Sequence, residues 1–325
     1  MVEMNKARQA LPEKSRGLFD DIVTQRVLGA SKHIHMIGEM IEAIALEGKK
    51  NRSSVDAIIA NIAIVTQYFI DTRGEASQAI SNAIRMMIKG INDVRDLETP
   101  EAVNNIIENK NSYLQGAKEA IEQVVEYGVN VAKTFDRIMV FDYSSTVERF
   151  LERLGEEDGG LTVVIPESRS IDGGYPFVKA CLNAGHNIKF IPDAAIMYFL
   201  KRCDAAFIGA ETFYPNGTVF NTTGSDIVGL VCKEFHIPLY VLTPLIKVDI
   251  RSMFGYEKAL VENDLTNRLA STWSKEEKEI TDFTCPELLA VEPEYITAII
   301  SEKGIIPASQ LFTVSTKFYH ELKGE

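Results

Sequence analysis

Phe207–Gly229 reads FIGAETFYPNGTVFNTTGSDIVG, and in it a strand end, an acidic residue, a tight turn, a short strand and a helix start follow one another directly. The residues leading into it, Cys203-Asp204-Ala205-Ala206-Phe207-Ile208, form a short apolar run of the kind a buried parallel strand shows, and Gly209-Ala210 ends it with small residues that permit close approach. Glu211 then stands at the carboxyl end of that strand. Open α/β sheets bind ligands in the crevice beyond those ends, which makes Glu211 a candidate for chemistry. Asn216-Gly217 predicts a chain reversal between Tyr214 and Thr218, since both residues tolerate positive φ. Asn221-Thr222-Thr223-Gly224-Ser225-Asp226 places capping side chains and free backbone N–H groups before the apolar Ile227-Val228-Gly229-Leu230-Val231, a helix start suited to an anion. The plainer reading of the same residues is a turn and an ordinary N-cap.

Outward from this stretch, strand, turn and helix alternate from Arg137 onward. Ile138–Phe141, Leu161–Ile165, Ile188–Ile191, Ala206–Ile208 and Pro238–Leu242 are short apolar runs read as strands. Between them Val147–Leu154, Gly174–Gly185, Asp193–Lys201 and Ile227–Phe235 read as helices. That alternation predicts an α/β domain with a Rossmann-like, doubly wound parallel sheet over residues 136–325. Residues 252–284, charged and irregular, read as a surface excursion.

The first 135 residues read differently. Ile34, Ile37, Ile41 and Ile44, and then Val55, Ile58, Ile59, Ile62, Val65 and Phe69, recur at steps of three and four, the mark of amphipathic helices. A further helix is expected from Glu75 to Val94. Thr99-Pro100-Glu101 opens another, running to about Lys133. An all-helical domain over 1–135 is therefore expected.

The 325 residues carry a net charge of −12 with 46% hydrophobic and 25% charged residues, an ordinary globular composition. Its acidity argues against a nucleic-acid surface, which needs clustered Lys and Arg. The start of the chain has no apolar signal region and no run of eighteen apolar residues occurs, so a cytoplasmic protein without a membrane span is expected. Cys181, Cys203, Cys232 and Cys285 are far apart and read as small buried hydrophobes. The five histidines show no ligand pairing, with His33 and His35 on opposite sides of a helix, so neither a metal nor another cofactor is expected.

Three strand-end junctions converge on one predicted crevice. They are Asp142-Tyr143-Ser144, Glu167-Ser168-Arg169 with Gly173-Gly174, and Glu211 with the turn from Asn221 to Ser225. Arg169 could hold a phosphate through its fork of donors, and Gly173-Gly174 would let backbone N–H groups approach it. Asp142 and Glu211, at equivalent ends of different strands, read equally as an acid–base pair or as solvated loop residues.

Gly209-Ala210-Glu211 through Asn216-Gly217 to Val219-Phe220-Asn221 and Gly224-Ser225, preceded by Glu167-Ser168-Arg169 and followed by Pro286-Glu287-Leu288 and Ile300–Gly304, carry a resemblance. The series resembles the family that unites the regulatory subunits of translation initiation factor 2B with methylthioribose-1-phosphate isomerase and ribose-1,5-bisphosphate isomerase. It covers nearly the whole chain and implies a helical domain ahead of a Rossmann-like one, pairing through the latter. Gly29-Ala30 resembles the end of the isomerases' Arg-Gly-Ala segment, with Leu28 where the arginine would be, and Thr72-Arg73 resembles their second phosphate-contacting arginine. Asp142 stands where the isomerases have a cysteine, Glu211 where they have an aspartate, and Thr222 where they have a lysine.

The resemblance thus implies a sugar-phosphate isomerase-like enzyme with altered catalytic residues Asp142 and Glu211. Its phosphorylated ligand would contact Arg73, Gly29, Ala30, Ser144, Arg169, Gly173, Gly174, Asn221 and Thr222. The rival expectation is a non-catalytic regulatory subunit of the initiation-factor type that binds a nucleotide or sugar phosphate. A homodimer or larger homo-oligomer is expected in either case, because the run Pro238–Ile250 keeps apolar residues where exposure would otherwise be expected.

Overall fold

A computed structural model describes residues 2–27, 29–158 and 160–323. The chain divides into two compact units, one of residues 1–119, 246–248 and 317–325, the other of residues 120–245 and 249–316. The division falls inside the helix Thr99–Ala132, ahead of the change in composition near residue 136.

Among the described residues the first unit holds helices and no strand. Ala30–Lys50 and Val55–Asp71 form as the periodicity predicts, and Ser54 caps the second by accepting from Ala57 N at 3.3 Å. Their apolar stripes, including Ile37, Ile41, Ile58, Ile62 and Phe69, pack in one core with Phe19 and Ile84. Val55–Ala76 is long and apolar enough to cross a bilayer, yet its stripe is spent on this core. The helix expected from Glu75 to Val94 is instead a short piece, Arg73–Ala76, and a second, Gln78–Met87, followed by turns. Ser77, extended at φ −136°, breaks it, and Gly90 at φ 69° ends any continuation.

In the second unit the strands are β1 (Arg137–Phe141), β2 (Thr162–Pro166), β3 (Asn187–Ile191), β4 (Ala205–Ile208), β5 (Thr212–Phe213), β6 (Val219–Thr222), β7 (Leu239–Leu242), β8 (Glu262–Asp264), β9 (Thr284–Pro286), β10 (Leu288–Val291), β11 (Ala298–Ser301) and β12 (Gly304–Ile306). Seven of them make one sheet in the order β12-β11-β7-β4-β1-β2-β3, parallel throughout except for the β11–β12 hairpin. The apolar runs of β1 and β4 are buried on both faces, as parallel strands covered on two sides must be. From β1 the chain moves outward through β2 to β3, then returns to the other side of β1 as β4. The strand order therefore reverses between β1 and β4, and Phe141 pairs with Ile208 so that both strands end level there.

A small antiparallel sheet, β10-β6-β5, follows β4 directly. Asn216-Gly217 does reverse the chain between its first two strands, but only Gly217 takes positive φ, at 98°. Gly217 N donates to Tyr214 O at 3.0 Å and Tyr214 N to Thr218 O at 2.8 Å, a turn with Pro215 in its second position. The excursion after Gly255 is not without order, since β8 and β9 pair within it and Ser274 and Glu277 form a capping box. Pro238–Ile250 is core rather than an exposed interface: Leu239, Val241 and Leu242 are buried because β7 lies inside the sheet between β4 and β11, and Leu245, Val248 and Ile250 beyond it are buried as well. Cys181, Cys203 and Cys232 are buried, and burial pushes each thiol up to about 12; Cys285 is half-buried.

The helix Ser225–Glu234 begins at Gly224, which sits at φ 105° with the Phe141 ring beneath it. A Cβ there would lie 2.6 Å from Phe141 Cζ, and Phe141 is itself fully enclosed. Gly224→Ala is thus expected to lower the unfolding free energy by roughly 2–4 kcal/mol through left-handed backbone strain plus overpacking, read as a fall in the denaturant midpoint. An unchanged midpoint would show that this junction relaxes freely.

Candidate functional site

Asp142 follows β1 directly and is 3% exposed. Its backbone takes φ 60°, a left-handed conformation uncommon outside glycine, which turns the side chain away from the direction the strand would give it. Ser168 Oγ donates to Asp142 Oδ1 at 3.1 Å, while the Thr222 hydroxyl and Tyr143 N–H also bond the carboxyl group. Burial holds the Asp142 carboxyl above the usual carboxylate range; the three hydrogen bonds oppose that shift, and the nearby Asp193 charge adds to it.

The loop after β2 covers this carboxyl. Ser168, wholly buried, also takes a left-handed φ of 50°, and Asp172 one of 55°. Asp193, just past β3, holds the loop by accepting from Ser168 N at 2.9 Å through Oδ1 and from Arg169 N at 2.8 Å through Oδ2. Gly173 closes the loop against Asp142, where a Cβ would run into Asp142 Oδ1 and lie 3.0 Å from Tyr143 N. The Gly173 and Gly174 amides, expected to meet an anion, close the loop on itself by donating to Ser168 O and Glu167 O at 3.3 and 3.1 Å.

The remaining predicted residues take several different places. Ser144 is half-buried and its side chain abuts Gly209, bringing the β1 and β4 junctions together. Asn221 and Thr222 belong to β6 rather than to a helix start, and Asn221 Nδ2 donates to Ser225 Oγ at 3.0 Å in a buried contact. The helix proper begins at Ser225 with no side-chain cap, and Gly224 N is taken by Asp226 Oδ1 at 3.1 Å. Glu211 is half-exposed, and its N–H donates to Phe220 O at 2.9 Å. Arg169 is on the outer side of its loop, its Nη2 donating to Arg268 O at 3.1 Å. Tyr143, next to Asp142 in the chain, is 42% exposed and its hydroxyl donates to Glu148 Oε2 at 2.8 Å; burial and then Glu148 push that hydroxyl up to about 12.

Gly29, Ala30 and Arg73 belong to the first unit. Gly29, at φ 100°, precedes the helix that Ala30 begins, and Arg73 Nη2 donates to Ile22 O at 2.6 Å. Leu28 lies outside the described residues. No cluster of three or more potential metal ligands occurs among the described residues. A cavity of about 300 Å³ opens at the amino ends of β1 and β2, lined by Lys133, Asp136, Leu154, Thr162 and Asn187 among others, and so lies at the other end of the sheet from Asp142.

Two residues at the centre of this arrangement were not singled out by sequence reasoning as site residues, Ser168 and Asp193. Asp193 carried a usable signal, since it follows a strand end as Asp142 does. Ser168 stood in the Glu167-Ser168-Arg169 junction, but only its left-handed backbone turns the hydroxyl inward.

The sequence pattern of the Initiation factor 2 subunit family (IF-2B) matches residues 31–308. Ribose 1,5-bisphosphate isomerase of Methanocaldococcus jannaschii is 23% identical over 241 residues, covering 74% of this chain and 75% of that protein. A putative translation initiation factor eIF-2B subunit 2-like protein of Pyrococcus furiosus is 24% identical over 297 residues, 91% of this chain and 97% of its own length. The crystal structure of 5-methylthioribose 1-phosphate isomerase from Pyrococcus horikoshii superposes with a TM-score of 0.74 at 17% identity, covering 95% of this chain and 92% of that one. With the match running from Ser31 to Ala308, through both units, the chain belongs to the Initiation factor 2 subunit family.

Proposed function

We propose that the chain is a sugar-phosphate isomerase that converts an aldose phosphate into a ketose phosphate, with Asp142 as the acid and Glu211 as the base. The observation that carries this reading is the Asp142 carboxyl itself, buried where the strand order reverses and held above the usual carboxylate range by that burial. A carboxyl group whose burial favours the protonated form is shifted in the direction a general acid requires. Glu211, at the end of the adjacent β4 and half-exposed, supplies the complementary carboxylate. Similarity to proteins named as isomerases of ribose 1,5-bisphosphate and 5-methylthioribose 1-phosphate supports the substrate class.

On a cyclic aldose 1-phosphate the steps balance as follows. Asp142 gives its proton to the ring oxygen as the C1–O bond opens, and Glu211 removes the proton from C2, leaving a C1=C2 enol. Glu211 then returns its proton to C1 while the C2 hydroxyl proton passes to Asp142. The ketone forms and both carboxyl groups recover their starting states. Ser168 and Thr222, bonded to Asp142 throughout, stabilise its ionised form midway. A second reading, a regulatory subunit that binds such a ligand without turnover, draws on the similarity to the eIF-2B subunit 2-like protein.

Asp142→Asn and Glu211→Gln preserve shape and remove titration, and each is expected to slow exchange of the substrate's C2 proton with solvent deuterium by ~10²–10⁴-fold while phosphosugar binding persists. Full exchange in either variant would remove the paired-carboxylate mechanism. Absence of exchange in the wild type across pentose phosphates, with binding retained, would favour the regulatory reading.

The same carboxyl sets a stability signature. Its folded pKa lies above the unfolded value of about 3.9, so the folded state holds the proton longer and stability is lost as pH rises from that value through the folded pKa. Asp142→Asn is therefore expected to melt above the wild type at neutral pH, the difference closing below about pH 4. A difference independent of pH would mean that Asp142 is not the group responsible.

We also propose that the chain associates with further copies of itself. Ile227 and Leu230 are half-exposed on the helix Ser225–Glu234, beside Met197 and Tyr198 on the helix Ile196–Leu200 that packs against it. Light scattering at micromolar concentration is expected to return the mass of at least two chains, and a monomer would remove the claim.

A further inference from the structure

Two guanidinium groups share one carboxylate on the outer side of the loop that walls Asp142. Arg268 Nη1 bonds Asp172 Oδ2, and Arg169 Nη1 stands 3.6 Å from Asp172 Oδ1. Arg169 Nη2 also donates to Arg268 O at 3.1 Å, which ties the two arginines to each other as well as to Asp172. Arg169 and Asp172 are about half exposed and Arg268 one-third exposed, so the cluster opens to solvent. The two arginines come from distant segments, the loop after β2 and the short helix Thr266–Leu269 inside the excursion.

The loop has two working sides. Ser168 and Gly173 face Asp142, and their immediate neighbours Arg169 and Asp172 face Arg268. A ligand gripped at the outer cluster therefore lies one loop-width from the buried carboxyl. The cluster carries two positive charges and one negative, and its single carboxylate offers the paired oxygens that a guanidinium fork also takes from phosphate.

We propose that Arg268 and Arg169 form a phosphomonoester site in which Asp172 holds the place of the phosphoryl group. Binding exchanges the Asp172 carboxylate for a phosphate bearing more charge and a third oxygen. Arg268 thereby becomes a specificity-determining residue, drawing phosphorylated over neutral sugars, and the excursion that carries it becomes part of the substrate site. The proposal rests on the sugar-phosphate reading for its ligand class, but its test does not depend on turnover.

The test uses two changes to one ion pair. A merely structural pairing predicts that Arg268→Gln and Asp172→Asn act in the same direction, because each breaks the same contact. An anion site predicts opposite directions. Calorimetric titration of the full chain with inorganic phosphate and with ribose 5-phosphate is expected to show Arg268→Gln weakening both by roughly tenfold, the worth of a charge-assisted hydrogen bond. Asp172→Asn should tighten both, and Arg268→Lys, which keeps the charge and loses the fork, should fall between wild type and Arg268→Gln. Circular dichroism establishes that each variant folds. Shifts in the same direction, an unchanged affinity in Arg268→Gln, or no binding of either probe to the wild type would each overturn the site. Opposite shifts without any isomerisation would sustain the site and remove only the catalytic reading; isomerisation with shifts in one direction would do the reverse.

Discussion

Removing a carboxyl group from water is among the more expensive things a fold can do, and the second unit is arranged around having done it at Asp142. Two hydroxyl groups and one amide meet that carboxyl, each from a different part of the chain: Ser168 from the loop after β2, Thr222 from the end of β6, and Tyr143 from the residue next along. None of them carries a charge opposite to that of a carboxylate. Burial therefore favours a proton remaining in place, the three hydrogen bonds favour its release, and burial prevails.

The cost is spread over the backbone. Asp142, Ser168 and Asp172 all occupy left-handed conformations that ordinary residues avoid, and they do so within one loop and the strand end it covers. What holds them is the order of the sheet. Since β2 and β3 lie side by side next to β1, Asp193 at the end of β3 can reach the Ser168 and Arg169 amides, and the loop so fixed lies over the end of β1. Gly173 completes the fit by omitting the one atom that would collide with the carboxyl.

Much of this was legible in the sequence, and unevenly. Ile138–Phe141 and Ala206–Ile208 are apolar enough on both faces to announce buried strands, and their ends brought Asp142 and Gly209-Ala210-Glu211 into view. The helical stripe from Val55 to Phe69 was equally plain. Thr222 was placed near the right chemistry but in the wrong element, because a short strand in a three-stranded side sheet has no periodicity to distinguish it from a polar turn. The strands β10 to β12 escaped for a related reason: they are three or four residues long, and β10 is only partly buried. Arg268 lay in a tract whose charge suggested nothing but solvent, and its partner on Asp172 becomes visible only once the loop after β2 is folded.

The buried thiols have a bearing on how the protein behaves in a reactive environment. With burial pushing the Cys181, Cys203 and Cys232 thiols up to about 12, each stays in the thiol form at neutral pH, which disfavours ready alkylation or oxidation. Reagents can reach these sulfurs only when the surrounding structure opens. Cys181 lies in the core beside β2, Cys203 immediately before β4 and Cys232 on the helix that follows β6, so their labelling rates would chart separate openings across the sheet. The sequence thus carries three internal clocks of its own unfolding, already spaced across the sheet that holds Asp142.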